Sequence, residues 1–274
     1  MTDPLWLEVG PGVFARRYAF LDQQIGAILT DDGPVIVDTR STAAHARELL
    51  ADLRLLSDRP VAAVINSHHH WDHTFGNAVF RPAPIWGHVR CARGLLTHGE
   101  AMRTELFGTH PELADDLRAT TIDPPDRTFE QAATLAIGGR KIELRYLGRG
   151  HTDNDIVVVV GGADVLFAGD LLENDATPWF GDAYPLDWPA TAAAIRTLTT
   201  GAVVPGHGSV ADASFVERQI AEFQAVADLA GRVHRAEISL DDAIAAAPYP
   251  VADAREPLER ALAQLRGAFD ETGR

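Results

Sequence analysis

Short β-rich runs alternate with turn residues in the first part of the chain. Residues 12–20, 24–29 and 34–37 are rich in aliphatic and aromatic side chains, and Asp31-Asp32-Gly33 separates two of them. Runs of this length between turn residues favour a meander of strands. Residues 61–65 are apolar throughout, which predicts a buried strand.

Helical spacing appears between these strands and again after them. Residues 41–56 place apolar side chains along one helical face, with a serine and a threonine available as the N-cap. Residues 85–88 predict a further strand and residues 91–106 a further helix. The stretch that follows, up to residue 126, has no pattern that assigns an element to it.

Two Gly-Gly pairs mark hairpins in the second half of the chain. Gly138-Gly139 and Gly161-Gly162 each stand between two β-rich runs, a strong hairpin signal. The four strands predicted in this way are 134–137, 141–147, 156–160 and 165–168. Residues 203–205 predict a last short strand.

The pattern becomes helical beyond residue 210. Two apolar stripes at helical spacing are Val216, Ile220, Phe223 and Val226, and Leu258, Leu262, Leu265 and Phe269. Amphipathic faces of this kind ordinarily pack against their own domain. We therefore predict a single domain over residues 1–274, with residues 210–274 as a helical C-terminal extension packed on it.

Composition and charge restrict the function. The net charge of −15 is unfavourable for binding a phosphate backbone, so we expect a small-molecule substrate and no nucleic acid. No run of about 18 apolar residues and no secretory pattern at residues 1–10 is present, so we expect a cytoplasmic protein without a membrane partner. Cys91 is the only cysteine, which excludes an intrachain disulfide and a thiolate cluster. Any metal must therefore be bound by histidine and carboxylate.

Candidate metal ligands are concentrated directly after the predicted strand 61–65. The motif His68-x-His70-x-Asp72-His73 places three imidazoles and a carboxylate within six residues, and a loop at a strand end can direct all four to one place. These donors suit zinc, and iron and manganese accept them too. The alternative is a solvated histidine-rich turn, which the number and spacing of ligand-type residues disfavour.

Three more candidates follow later predicted strands. His151, Asp170 and His207 each come shortly after a strand and next to a glycine, whose backbone tolerates conformations that other residues resist. With the first motif they supply the five histidines and two aspartates that two adjacent metal ions require. The neighbouring His69 should point away from the ligands if the segment is extended.

The ordered motifs resemble those of the metallo-β-lactamase superfamily over roughly residues 12–210. They are His68-x-His70-x-Asp72-His73, Gly150-His151-Thr152, Phe167-Ala168-Gly169-Asp170 and Pro205-Gly206-His207-Gly208. The resemblance implies an α+β fold, an αββα sandwich of two mixed sheets with outer helices and the site at one edge.

The same resemblance implies a ligand assignment with two metal ions. The first ion would be bound by His68, His70 and His151, the second by Asp72, His73 and His207, and Asp170 would bridge them. Asp72 would also orient the nucleophile or pass its proton to the leaving group. Asp38 matches a family position that commonly supports the ligands, although a plain strand-end aspartate is an equal alternative.

The chemistry expected from two zinc ions is hydrolysis. Two cations about 3.5–4 Å apart lower the pKa of a shared water towards about 7, so a metal-bound hydroxide can attack a carbonyl. The chain has no Gly-x-Ser-x-Gly elbow, and Cys91 lies outside the motifs, so a covalent nucleophile is disfavoured. We expect cleavage of an ester, lactone, thioester or amide of a small molecule.

Alternatives remain because the family is diverse. An iron-dependent oxidoreductase or sulfur-handling dioxygenase can use the same scaffold, and a binding protein with a vestigial site is a third interpretation.

One lactamase subclass carries cysteine where this chain has Asp170 and lysine where it has Glu173. Aromatic residues in 171–188 either wall a pocket or cover the core. On the first alternative, a neutral or partly apolar substrate is expected to be preferred to a penicillin or carbapenem.

Overall fold

A computed structural model describes residues 5–269. The strands are β1 (Leu7–Gly10), β2 (Val13–Tyr18), β3 (Gln23–Ile28), β4 (Val35–Val37), β5 (Ala63–Ile65), β6 (Ile85–His88), β7 (Arg127–Phe129), β8 (Ala132–Ile137), β9 (Arg140–Tyr146), β10 (Ile156–Val160), β11 (Val165–Glu173) and β12 (Ala202–His207). The α-helices are α1 (Ala43–Leu53), α2 (Trp71–Thr74), α3 (Val89–Thr109), α4 (Ala114–Ala119), α5 (Trp188–Leu198), α6 (Ala213–His234), α7 (Leu240–Ala246) and α8 (Arg255–Leu265). Short 3₁₀ helices lie at Phe20–Asp22, Asn77–Phe80 and Pro111–Leu113.

The strands form two mixed sheets joined at one point. Strands β1 to β7 make the N-terminal half and strands β8 to β12 the C-terminal half, in the order β7-β6-β5-β4-β3-β12-β11-β10-β9-β8, with β2 on β3 and β1 on β2. Between β3 and β12 only Gln23 and His207 are paired. Each half contains parallel and antiparallel neighbours. In the N-terminal half β4–β5 is parallel and β3–β4 antiparallel, and in the C-terminal half β11–β12 is parallel and β10–β11 antiparallel.

The two sheets pack face to face on an apolar core. Ile28 and Ile65 from the N-terminal half are buried in one cluster with Ile142 and Phe167 from the C-terminal half. Gly26 makes room for Phe167, because a Cβ at residue 26 would lie 2.4 Å from the phenyl ring. Close packing of this kind specifies how the two sheets fit together.

Helices cover both outer faces, which confirms the predicted αββα sandwich. Leu49 of α1 packs with Ile36 and Val64 on the N-terminal half. Val216 and Phe223 of α6 pack on the C-terminal half together with α5 and α8. The helical C-terminal segment is confirmed, while its place in a single domain stays a prediction.

Both predicted hairpins are confirmed. At the first, Gly138 and Gly139 have φ values of +45° and +78°, a conformation that glycine adopts without strain. In the second, β11 extends to Glu173, whereas its apolar run predicts an end at Ala168. A bulge explains the difference, because the pairing of β11 with β12 shifts at Gly169, where φ is +54°.

Several elements escape the sequence pattern. The unassigned stretch up to residue 126 contains the end of α3 and the whole of α4. Helix α8 ends at Leu265, so Phe269, the last member of the second predicted stripe, lies outside the helix. In residues 5–269, no helix combines the length and the apolar character needed to cross a bilayer.

Candidate metal centre

The predicted ligands gather where the two sheets join. His68 and His70 follow β5, and Asp72 lies in the first turn of the short helix α2. Asp170 lies on β11 just after its bulge, and His207 ends β12. Chain segments from both sheets therefore direct their side chains to the same edge of the sandwich.

One group consists of three imidazoles and a carboxylate. His70 Nδ1 lies 2.9 Å from His68 Nε2 and 2.9 Å from His151 Nε2. Asp170 Oδ2 lies 3.5 Å from His68 Nε2 and 3.4 Å from His151 Nε2. All four side chains are buried, so their donor atoms surround one point shielded from solvent.

A second group adjoins the first through Asp170. His73 Nε2 and His207 Nε2 are 3.2 Å apart, and Asp72 Oδ2 lies 3.1 Å from the former and 3.3 Å from the latter. Asp170 approaches the same two nitrogens, at 3.2 Å from His73 Nε2 and 3.3 Å from His207 Nε2. The structure thus brings all seven predicted residues together.

The donor chemistry fits two divalent cations. Burial lowers the pKa of His68 well below its ordinary value and that of His151 to about 4, so both imidazoles are neutral. His70 Nδ1 then faces two ring nitrogens at once, and it has at most one proton to share. Asp170 Oδ1 is buried and forms no regular hydrogen bond within residues 5–269, although His73 Nε2 lies 3.2 Å from it. A cation in each group would satisfy these lone pairs.

The carboxylates remain ionised although they are buried. Burial raises the pKa of Asp72 and of Asp170, but the adjoining His73 and His207 outweigh it and hold both pKa values well below the usual range. Two buried negative charges are therefore compensated by positive charge at the second group. A divalent cation that replaced the protons of His73 and His207 would compensate the same two negative charges.

Asp38 supports the first motif from behind. Its Oδ1 accepts the Ser67 backbone N–H at 2.7 Å, and its Oδ2 accepts the Ser67 hydroxyl at 2.7 Å and His73 Nδ1 at 2.9 Å. These contacts direct His73 Nε2 into the second group and favour the supporting position over a plain strand-end aspartate. Asp38 has a φ of +68°, a strained conformation that these three bonds maintain.

Oxygen atoms orient the other imidazoles in the same way. His207 Nδ1 donates to the Leu21 carbonyl at 2.7 Å, and His151 Nδ1 donates to the Trp179 carbonyl at 3.2 Å. His70 Nε2 lies 3.2 Å from Asp182 Oδ1. Sequence reasoning missed these partners, since carbonyls and a loop aspartate distant in the chain carry no local signal.

Asp155 organises the loop that carries His151, and sequence reasoning missed it too. Its carboxylate accepts the Thr152 backbone N–H at 2.7 Å and the Thr152 hydroxyl at 2.8 Å. Burial raises the pKa of Asp155 to about 7 despite these bonds. The available signal was an aspartate three residues after a threonine in a turn, which is common in many proteins.

The glycines beside the ligands do not all have the role that the sequence suggests. Gly169, next to Asp170, adopts a positive φ, but Gly206, next to His207, does not. A Cβ at Gly206 would lie 1.8 Å from Asp170 Oδ1, so this residue is needed for close approach rather than for backbone freedom.

The aromatic segment divides between core and site. Phe180 and Trp188 are fully buried and pack with Phe223, so this part of the segment covers the core. Trp179 is 49% exposed, and its ring centroid lies 5.3 Å from that of His70. Trp179 therefore both borders the ligands and faces solvent, on the side of the first group.

Replacing Asp38 by asparagine is expected to weaken metal binding by about 10–100-fold, because the amide keeps only part of the acceptor capacity that orients His73. Competition with a chromophoric chelator measures the change. Asp58→Asn is the matched control, since Asp58 is exposed. Unchanged affinity in folded Asp38→Asn protein would show that this carboxylate does not support the ligands.

Comparisons with known proteins agree with this geometry. The sequence profile of the metallo-beta-lactamase superfamily matches residues 20–207. Metallo-beta-lactamase type 2 of Bacillus cereus is 27% identical over 188 residues, which are 67% of this chain and 66% of the relative. The linear primary-alkylsulfatase of a Pseudomonas species is 25% identical over 214 residues, which are 65% of this chain and 40% of that protein.

A solved structure extends the likeness in fold. A double mutant of the sec-alkyl sulfatase PisA1 gives a TM-score of 0.74 at 18% identity, over 97% of this chain and 50% of that one. The chain therefore belongs to the metallo-beta-lactamase superfamily, a family of hydrolases, as its motifs predict. Its matches span less than two thirds of these relatives' lengths.

Proposed function

We propose that the protein is a dinuclear zinc hydrolase that cleaves an ester, lactone, thioester or amide bond of a small molecule. The supporting observation is the pair of adjoining His/Asp groups that share Asp170. Five imidazoles and two carboxylates form a donor set that zinc accepts. A structural zinc site is normally closed by four protein ligands around one ion, so two groups with a shared carboxylate favour a catalytic role.

The ligand assignment follows the nearest donor atoms. His68 Nε2, His70 Nδ1 and His151 Nε2 would hold the first ion. Asp72, His73 and His207 would hold the second ion, and Asp170 would supply a carboxylate to both groups. When bound, two divalent cations lower the pKa of a water towards about 7 and polarise a substrate carbonyl.

Asp72 is the protein group best placed to move a proton. Its side chain is 9% exposed and lies beside His207, whose side chain is 16% exposed, so this part of the centre can meet substrate. A carboxylate with a low pKa is ionised, so it can orient a water by accepting its hydrogen bond. It can then take up the proton that this water loses on attack and pass the same proton to the departing atom. Asp38 and the Leu21 carbonyl orient His73 and His207, and these two imidazoles contact Asp72 and hold it in position. Asp38 and Leu21 act only through the imidazoles.

Apolar side chains border the centre and are suited to an acyl or leaving group. Phe20, Trp71 and His110 form an aromatic cluster with ring centroids 5.2–6.3 Å apart, and Trp71 directly precedes Asp72 in α2. Leu21 is 37% exposed next to them, and Trp179 borders the first group. Ligand sites commonly combine such apolar walls with a few polar groups.

Zinc-loaded protein is expected to hydrolyse at least one class among aryl esters, lactones, thioesters and amides, and to lose the activity on chelation and regain it with zinc. Penicillins, carbapenems and alkyl sulfates belong in the same panel, because lactamases and an alkylsulfatase are among the relatives. Stoichiometric iron with oxygen consumption in protein purified without added metal would contradict the proposal in favour of an oxidoreductase.

A further inference from the structure

A large cavity adjoins the metal centre on the side of the first group. Its volume is about 910 Å³, and it lies between the first turns of α3, the end of β9 and the segment that enters α5. Arg90 and Arg93 line it from α3, and Arg149 lines it from the loop that follows β9. Three of the chain's arginines thus meet in one cavity of a protein with a net charge of −15.

His69 separates this cavity from the metal ligands. The His69 side chain lines the cavity, and its ring centroid lies 4.8 Å from that of His70. Helix α3 packs directly on it, since a Cβ at Gly94 would lie 3.1 Å from the His69 ring. Asn154 fixes the ring by donating to His69 Nδ1 at 2.8 Å. A ligand in the cavity therefore lies one imidazole away from the proposed reaction centre.

The charges that line the cavity leave one positive charge without a counterion. Asp153 lies 3.8 Å from Arg90, and Asp187 lies 2.7 Å from Arg149. The guanidinium of Arg93 forms no ion pair or hydrogen bond within residues 5–269. Three arginines against two aspartates give a net charge of +1, which matches a monoanion better than a dianion.

Two tyrosines hold the flanking arginines. The Arg149 guanidinium lies 4.4 Å from the centroid of the Tyr184 ring, and the Arg90 guanidinium donates to the Tyr146 hydroxyl at 3.3 Å. Burial raises the pKa of Tyr184 to about 12, so its hydroxyl remains a hydrogen-bond donor at neutral pH. The cavity therefore offers both a free guanidinium and fixed donors to an oxyanion.

We propose that this cavity binds a carboxylate of the substrate, with Arg93 as its main partner and Arg90, Arg149 and Tyr184 around it. The inference rests on the proposed function and specifies its substrate class: an ester, thioester, lactone or amide that carries a carboxylate several bonds from the bond that is cleaved. A planar guanidinium binds a carboxylate through two parallel hydrogen bonds, which adds specificity to the charge.

This proposal differs from the expectation of a neutral or partly apolar substrate, which stays a prediction. That expectation depends on an aromatic wall along residues 171–188, and the structure places Phe180 and Trp188 of that segment in the core. Tyr184 does line a cavity, but as the support of an arginine. Apolar surface remains near the cleaved bond, at Trp71 and Trp179, while the distal part of the substrate meets positive charge.

A matched substrate pair tests the proposal on the zinc-loaded enzyme. The pair is mono-(4-nitrophenyl) glutarate and its methyl ester, which differ by one negative charge. Wild-type enzyme should prefer the carboxylate, and Arg93→Gln should lower kcat/KM for it by about tenfold, mostly through KM, because the contact is made equally before and during reaction. The methyl ester should change by less than about twofold.

Arg47→Gln is the matched control, because Arg47 is an exposed arginine on α1, outside the cavity. It should leave both substrates unchanged. Equal loss of both substrates in Arg93→Gln, or no loss of either, would overturn the carboxylate site while the hydrolase function stands.

Calorimetry of the zinc-loaded protein with hexanoate provides a readout that needs no turnover. Hexanoate should bind wild type and Arg47→Gln alike, and Arg93→Gln about tenfold more weakly. If hexanoate affinity does not depend on Arg93, the carboxylate is bound elsewhere and the proposal fails. Tighter binding of inorganic phosphate than of hexanoate would also overturn it, since the cavity would then accept a dianion. Arg93-dependent binding without hydrolysis of either ester would retain the site and reject the proposed reaction.

Discussion

Asp170→Asn is expected to remove at least one of the two metal ions and to lower kcat/KM by about a thousandfold or more. The two carboxylate oxygens of Asp170 lie within 3.5 Å of four ligand imidazoles, so this one side chain compensates positive charge in both groups. An asparagine keeps the size of the side chain and removes its charge, which leaves the repulsion between two close cations uncompensated. Elemental analysis and steady-state kinetics on one preparation measure both effects.

Asp164→Asn is the control for this substitution. Asp164 lies just before the same strand, β11, is exposed, and has a positive φ that asparagine also tolerates. It should keep the wild-type metal content and rate. An Asp170→Asn protein that retains two metal ions and full turnover would remove Asp170 from the site altogether.

His207→Ala is expected to leave close to one metal ion per chain and to reduce turnover by about a hundredfold or more. His207 belongs to the second group only, and the three imidazoles of the first group do not depend on it. The remaining Asp72 and His73 supply too few protein ligands for a stable ion, while the first site keeps its three imidazoles and Asp170. Removing the side chain also frees the Leu21 carbonyl that His207 contacts.

His234→Ala is the control, because His234 is an exposed histidine at the end of α6. It should bind as much metal as wild type. Loss of both ions from a folded His207→Ala protein would show that the two groups form one cooperative site, contrary to the separate ligand sets proposed here.

The sequence predicts the ligands because their signals are local. His68, His70, Asp72 and His73 are close in the chain and follow an apolar strand, so their convergence needs only a strand end and a turn. His151, Asp170 and His207 follow other strands, and the fold places those strand ends at one edge. The individual strands and helices follow from short apolar runs and helical stripes, whereas the αββα arrangement is what the resemblance of the motifs implies.

What the sequence leaves open depends on contacts between distant residues. Asp182 is 112 residues from His70, and Leu21 is 186 residues from His207. Whether an aromatic side chain lies in the core or at the site also depends on packing. Trp188 is stacked on Phe223 of the later helix α6, while the nearby Trp179 faces the ligands. The arginine cavity combines α3 with a loop and α5, an arrangement that no local pattern predicts.

The metal content of the zinc-replete wild-type protein tests the central claim most directly. The protein is dialysed to remove loosely bound ions and analysed by inductively coupled plasma mass spectrometry. It should contain two zinc ions per chain, and its activity should rise when the second equivalent of zinc is added to the metal-free protein. A fully active protein that contains one zinc ion per chain under these conditions would contradict the dinuclear centre.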